Sequence, residues 1–249
     1  LLDQNGLQLG TAKTLNSNHQ ANVGDAWTIA AGQSMTLTVA GNIATGQTTA
    51  GQIVSLQVVA INTSAPVSGS LPINGASHTI NTTLTLGSVS TTTSSFDPGA
   101  NQSKSIGDTA VRISGIRFTA GSAEDLKLFN IRFRNTGTAS ASDFSNILVD
   151  VNGTKYPAVV DSTGKYYTVV FPGGLMIAKG NSIDVYTQVD ITGSGAASRT
   201  IKLDIDKVTD VYFVGQLYSY GVAPSGTYTP WFVSYTTTIN AGTATTIGK

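Results

Sequence analysis

The chain has no cysteine, a single glutamate (Glu124) against thirteen aspartates, and only 11% charged residues with a formal net charge of zero. Without cysteine there is no thiol catalysis, thiolate metal site or disulfide framework. Units of this size hold together by core burial alone, whereas domains below about 80 residues usually need staples. Without net positive charge the chain lacks the electrostatic footprint of a protein that binds nucleic acid or an anionic membrane. No apolar run approaches the ~20 residues that span a bilayer, so membrane insertion is not expected. Residues 1–6, Leu-Leu-Asp-Gln-Asn-Gly, have neither the basic nor the apolar region of a signal peptide. An exported protein would be represented by its mature form or by a piece of a longer one.

Catalytic signatures are missing too. His19 and His78 are the only histidines and lie in unrelated polar contexts. There is no His-Glu-x-x-His pair, no Gly-x-Ser-x-Gly elbow and no phosphate-binding loop followed by Lys-Ser/Thr. No pair of carboxylates is marked out for glycoside hydrolysis. The expectation is a protein that is not an enzyme and needs no organic cofactor.

Residues favouring strands and turns dominate: Thr, Ser, Gly, Asn and Val are abundant, while Glu, Lys, Arg and Met are scarce. Period-two alternation marks Ser34–Val39 and Thr200–Asp206, with Ile201, Leu203 and Ile205 predicted inward and Lys202, Asp204 and Asp206 outward. Further strands are predicted at 79–87, 111–119, 126–134, 146–151, 155–160, 166–171 and 231–239. Asn5-Gly6, Asn74-Gly75, Asn152-Gly153 and Pro172-Gly173-Gly174 read as turns. The low-complexity stretch Ser88–Ser105 reads as a surface loop or extended connection. Short strands at this spacing, with no amphipathic helix, predict an all-β fold of immunoglobulin-like Greek-key β-sandwich domains in tandem.

The chain also repeats itself. Ile29, Ala30, Gly32, Ser34 and Ile43 return 148 positions later as Ile177, Ala178, Gly180, Ser182 and Ile191, and Met35, Leu37 and Val39 as Ile183, Val185 and Thr187. Val54, Leu56 and Val58 correspond to Ile201, Leu203 and Ile205, and Asn5-Gly6 to Asn152-Gly153. Fixed-period self-similarity is the mark of modular arrays. The phase predicts an incomplete sandwich at 1–75, a complete repeat at 76–228, and a C-terminal strand at 229–249 that donates to a neighbour or starts another repeat.

Arg117–Leu128 (Arg-Phe-Thr-Ala-Gly-Ser-Ala-Glu-Asp-Leu-Lys-Leu), Asp143–Ile147 (Asp-Phe-Ser-Asn-Ile) and Ile177–Ile183, closing at Val189-Asp190-Ile191, resemble the tandem immunoglobulin-like repeats of large bacterial cell-surface proteins. Those are of surface-layer and adhesin type, as in ultrasmall candidate-phyla bacteria. The resemblance implies an extracellular, cell-surface location and brings no catalytic residues.

The candidate sites follow. A sandwich short of its opening strands exposes unpaired backbone, which a strand from another chain can complete by β-augmentation. The Thr-rich tail is the candidate donor, with Thr236, Thr238, Ile239, Thr243 and Ile247 as assembly residues; head-to-tail donation of this kind gives a fibre. Asp204, Asp206 and Asp210 are candidate calcium ligands, since that ion takes clustered carboxylate oxygens, with Asp190 a lesser one. Tyr212, Phe213, Tyr218, Tyr220, Tyr228, Trp231 and Phe232, with Tyr235, form an aromatic cluster suited to a subunit contact or to stacking on glycans. Asn62, Asn81, Asn101 and Asn152 head glycosylation sequons. Together these predict a homopolymer, a structural subunit of a cell-surface filament or surface layer. An adhesin or carbohydrate-binding module is the alternative, and a viral capsid or fibre protein a third class.

Overall fold

The computed structural model describes residues 1–25, 27–43, 50–193, 196–225 and 232–240. The chain divides into two compact units: Leu1–Leu2 with Leu9–Thr85, and Asp3–Gln8 with Leu86–Lys249. No helix among the described residues is long and apolar enough to cross a membrane.

Among the described residues, unit 1 forms a two-stranded antiparallel sheet, β1 (Ile53–Val58) beside β2 (Ile73–Thr79). Asn74-Gly75, predicted as a hairpin turn, lies inside β2 instead. The β1–β2 register slips between Ser55 and Gln57, and a Cβ on Gly75 would meet the Leu56 carbonyl oxygen at 2.6 Å. Glycine is needed there for close backbone approach at an irregularity, not for a turn. The strand predicted at 79–87 is displaced N-terminally into β2, and Ser34–Val39 forms no extended ladder.

Unit 2 is an all-β sandwich. Its strands are β3 (Val89–Thr93), β4 (Gln102–Ser105), β5 (Val111–Ala120), β6 (Leu126–Asn135), β7 (Phe144–Val151), β8 (Thr154–Val160), β9 (Tyr166–Ile177), β10 (Ser182–Ile191), β11 (Thr200–Ile201), β12 (Leu203–Asp204), β13 (Val211–Gly215), β14 (Gly221–Val222) and β15 (Thr237–Asn240). A hydrogen-bonded path runs β14-β13-β6-β9-β8-β7-β10-β5-β3. It folds over at β8, whose first half pairs with β7 and whose second half pairs with β9. One layer is therefore β3-β5-β10-β7 and the other β9-β6-β13-β14, with β12 also on β6. A third sheet, β11-β15-β4, has β15 parallel to β4.

Period-two patterning puts Ile116, Phe118 and Ala120 of β5 inside while Arg117 is exposed. Aromatic pairs bridge the layers: Phe118 meets Phe213 edge-on with ring centres 5.2 Å apart, and Phe144 meets Tyr167 at 5.6 Å. Fully burying such a side chain contributes about 1.5–3 kcal/mol, so this core carries the stability of the unit. The Asn152-Gly153 turn between β7 and β8 is as predicted. Both residues have positive φ, 53° and 83°, as a type I′ hairpin requires. Pro172-Gly173-Gly174 sits within β9, where the β6–β9 register shifts. Ser88–Ser105, predicted as a surface loop or extended connection, instead forms β3 and β4 with a bend between them, because each finds a partner strand, β5 and β15. Ser94 starts the bend, donating from Oγ to Asp184 at 2.7 Å.

Candidate functional site

The same sequence pattern is buried in one unit and uncovered in the other. Ile177, Val185 and Ile191 are each 1% exposed, whereas their repeat counterparts Ile29, Leu37 and Ile43 are 45%, 36% and 58% exposed. No described residue of unit 1 is fully buried. Val39, Ile53, Val54, Val59, Ile61 and Ile73 are exposed alongside. The cause lies in strand neighbours. In unit 2, β10 is flanked by β5 and β7. Residues 1–6 (Leu-Leu-Asp-Gln-Asn-Gly) match 148–153 (Leu-Val-Asp-Val-Asn-Gly), the end of β7 and its turn. Among the described residues of unit 1, the β10 counterpart makes one bridge, Thr38 N–H to the Leu2 carbonyl at 2.9 Å and Leu2 N–H to the Thr38 carbonyl at 2.8 Å.

Unit 1 has only two charged side chains, Lys13 and Asp25. Between Asp25 and Asp97 there is no Asp, Glu, Lys or Arg. β1 and β2 thus have none of the charged side chains that keep edges from pairing with other chains.

The three aspartates read as calcium ligands have protein partners. Asp204, predicted outward, is buried. It accepts from Ser234 N–H at 2.8 Å and Thr136 Oγ1 at 2.6 Å, with Lys202 Nζ at 3.7 Å. The strand shifts its outer face inward here because residues 232–236 lie across it, Phe232 bridging Ile205. Ile201, Leu203 and Ile205 are inside as predicted. Asp206 pairs with Arg134 at 3.2 Å and accepts from Tyr166 Oη at 3.3 Å. Asp210 pairs with Arg132 at 2.6 Å. Burial pushes the Asp210 carboxyl above its ordinary value, against the pull of Arg132. Arg132 and Arg134 both stack over the Tyr166 ring, 5.1 and 5.9 Å from its centre. Among the described residues no three His, Asp or Glu side chains gather at metal-binding spacing. Asp190 accepts from Ala110 N–H and Asn146 Nδ2.

The aromatic cluster does not form one surface. Phe213 is core. Tyr212 is half-buried beside Phe129, and burial raises its hydroxyl pKa. Residues 3–8 cover this spot, with Gly6 against the Tyr212 ring and Asn130 Nδ2 donating to the Asn5 carbonyl at 2.6 Å. Phe232 packs on the core edge. Tyr218 and Tyr220 are exposed, with Leu217, at the tip joining β13 to β14. Buried Glu124 fixes that tip by accepting from Leu217 N–H at 2.9 Å and Gly87 N–H at 2.7 Å. Tyr235 is exposed; Tyr228 and Trp231 lie outside the described residues.

The predicted donor strand is paired within its own unit. Thr238 and Ile239 belong to β15, Thr237 and Ile239 are fully buried, and Thr236 N–H donates to Asn101 Oδ1 at 2.9 Å. Thr243 and Ile247 lie outside the described residues. Asn62, Asn81, Asn101 and Asn152 are all exposed.

One cluster escaped sequence reasoning. Phe96 stacks on Tyr186 with ring centres 4.8 Å apart, and the Arg112 guanidinium sits 5.3 and 5.0 Å from the two rings. Burial and then Asp150 raise the Tyr186 hydroxyl, against Arg112. An open groove of about 670 Å³ runs beside it, lined by Phe96, Lys104, Asp108 and Arg112 among others. Its polar groups are largely engaged, Asp97 with Gly99 and Gly115 N–H and Asp108 with Ser105 N–H. Positions this far apart in sequence gave no signal.

No protein-family model and no curated protein matches the sequence. Among solved structures, a cohesin module from a Clostridium perfringens family 33 glycoside hydrolase is 10% identical, with 64% of this chain and 99% of that one covered and a TM-score of 0.31. The collagen-binding domain of a Staphylococcus aureus adhesin is 12% identical, with coverage of 64% and 99% and a TM-score of 0.23. A family 123 glycoside hydrolase from Clostridium perfringens is 13% identical over 62% of this chain and 27% of its own length, with a TM-score of 0.31. Likeness at this level assigns no activity.

Proposed function

We propose that the chain is a non-enzymatic module of an extracellular cell-surface assembly, joined to its neighbours through unit 1. One observation carries this reading: repeat positions that are 1% exposed in unit 2 are 36–58% exposed in unit 1. A β-sandwich pattern left in water loses about 25 cal/mol for every Å² of apolar surface it fails to bury. Association recovers that energy, and an uncharged face offers no repulsion to a second uncharged face. Unit 2, by itself, has a fully buried core.

Sedimentation velocity and negative-stain microscopy of the intact chain, beside an L37D/I53D double variant, test the reading. Both positions are exposed, so unit 2 keeps its melting transition in the variant. The expected result is concentration-dependent association of the wild-type chain and a monomeric variant. A wild-type chain that stays a compact monomer overturns the assembly reading. The exposed tip of Leu217, Tyr218 and Tyr220 is then the surface to screen with glycans, as an adhesin would require.

A further inference from the structure

We infer that the Phe96–Tyr186–Arg112 cluster and the groove beside it bind a carboxylate-bearing sugar, of the kind that makes up an acidic polysaccharide. Arg112 takes the carboxylate and the open face of Phe96 takes the sugar ring. The site lies wholly in unit 2, so it stands or falls independently of assembly through unit 1.

Arg112 is the arginine left without a carboxylate. The chain has five arginines, and four are ion-paired: Arg117 with Asp184, Arg132 with Asp210, Arg134 with Asp206 and Arg199 with Asp143. Among the described residues no carboxylate lies at ion-pair distance from Arg112. Two stacked rings hold it instead, with their centres 5.3 Å (Phe96) and 5.0 Å (Tyr186) from the guanidinium carbon. A cation–π contact uses the face of the guanidinium and leaves donors in its plane. That planar fork matches a carboxylate in bidentate geometry.

The groove supplies the rest. Its volume of about 670 Å³ falls within the roughly 300–1,000 Å³ of small-molecule sites. Its own aspartates are spent on backbone: Asp97 accepts from Gly99 N–H at 2.9 Å and Gly115 N–H at 2.8 Å, and Asp108 Oδ2 from Ser105 N–H at 2.9 Å. Lys104 stands in the same wall, and among the described residues it has no ion pair. An incoming carboxylate therefore finds free cations, while the second Asp108 oxygen and the Thr109 hydroxyl suit sugar hydroxyls. Phe96 is 37% exposed with Tyr186 on one side. Its other face is open to the C–H face of a pyranose ring, which the negative π surface attracts. An open groove rich in polar side chains fits a hydroxylated ligand better than an apolar one.

The ring is fixed before any ligand arrives. Phe96 N–H donates to Ser94 Oγ at 3.1 Å, and Asp97 N–H donates to the Ser94 carbonyl at 3.1 Å. Gly115 lets this loop close on β5, since a Cβ there would meet the Asp97 nitrogen at 2.6 Å. A preformed platform lowers the ordering cost of binding.

The test titrates the full chain calorimetrically with trigalacturonate, trimannuronate and sialyllactose, and with the methyl ester of whichever binds. At least one acidic sugar should bind saturably, and its neutral ester about tenfold or more weaker. R112Q and R112K should each weaken binding by about tenfold or more, since lysine cannot reproduce the stacked bidentate fork. F96A should weaken it several-fold. Arg112 and Phe96 are exposed, so unit 2 keeps its melting transition in these variants, which confirms that they fold. The inference fails if none of the three sugars saturates, if acid and ester bind alike, or if R112Q binds as the wild type does. Arg112-dependent binding of a hexaglutamate peptide without sugar binding overturns it too, in favour of an acidic protein partner. The L37D/I53D chain should bind the sugar as the wild type does, so loss of assembly and loss of this site are separately visible.

Discussion

Replacing Ile191 and Ile43 by alanine, one at a time, measures directly how differently the two repeat copies are covered. The residues are equivalent in sequence, yet Ile191 is 1% exposed and Ile43 is 58% exposed. Ile→Ala removes three carbons, worth about 2.4 kcal/mol of transfer free energy at roughly 0.8 kcal/mol per buried methylene. At Ile191, between Phe144 on β7 and the rest of the core, a cavity remains and raises the loss to about 3–4 kcal/mol. At Ile43 only the covered fraction counts and no closed cavity forms, leaving about 1 kcal/mol or less. Native-state hydrogen exchange at the β6 and β10 amides reads the global stability of unit 2. I191A should lower their protection by about 3–4 kcal/mol, shifting the thermal midpoint by about 6–15 °C for a unit of this size. I43A should leave those amides within about 0.5 kcal/mol of wild type. Equal losses, or a loss at Ile191 below about 1 kcal/mol, would refute the claim that the same pattern is buried in one unit and bare in the other.

Two further predictions concern the polar core of unit 2. Arg132→Ala leaves Asp210, 2% exposed at its side chain, as a buried charge without its partner, a loss of about 3 kcal/mol near neutral pH. Burial already raises the Asp210 pKa, and an acid with a raised folded-state pKa contributes stability that is lost as pH rises; the R132A deficit should therefore shrink as the pH falls and Asp210 takes up a proton, which denaturant melts at several pH values would show. Tyr167 is pushed up to about 12 by burial and then by the Asp161 charge. Its phenol should stay neutral through the ordinary tyrosine range, and its tyrosinate absorbance should appear only with unfolding.

Much of unit 2 was legible in the sequence because its strands are amphipathic at period two and its turns carry their own chemistry. β5, β6, β7 and β8 lie within a residue or two of their predicted spans, and Asn152-Gly153 makes its turn with both φ values positive, whereas Asn74-Gly75 lies within β2. Local patterning also identified the all-β fold class. Neighbours decided the rest. Ser34–Val39 and Ser182–Ile191 carry the same alternation, yet only the second becomes a ladder, because backbone hydrogen bonds need a partner strand that the first lacks. Asp204 alternates like a solvent-facing residue but is buried, because a segment 30 positions on, at Ser234, crosses over it and donates to its carboxylate. Thr237–Asn240 read as part of a free strand by composition; pairing parallel to β4 and antiparallel to β11 makes them part of unit 2. Phe96, Arg112 and Tyr186 show no sign of one another in sequence and meet only because β5 pairs with β10. The sequence by itself determined which residues want to be covered. Only the tertiary structure decided which of them are, since burial belongs to the pairing of distant segments and not to any one of them.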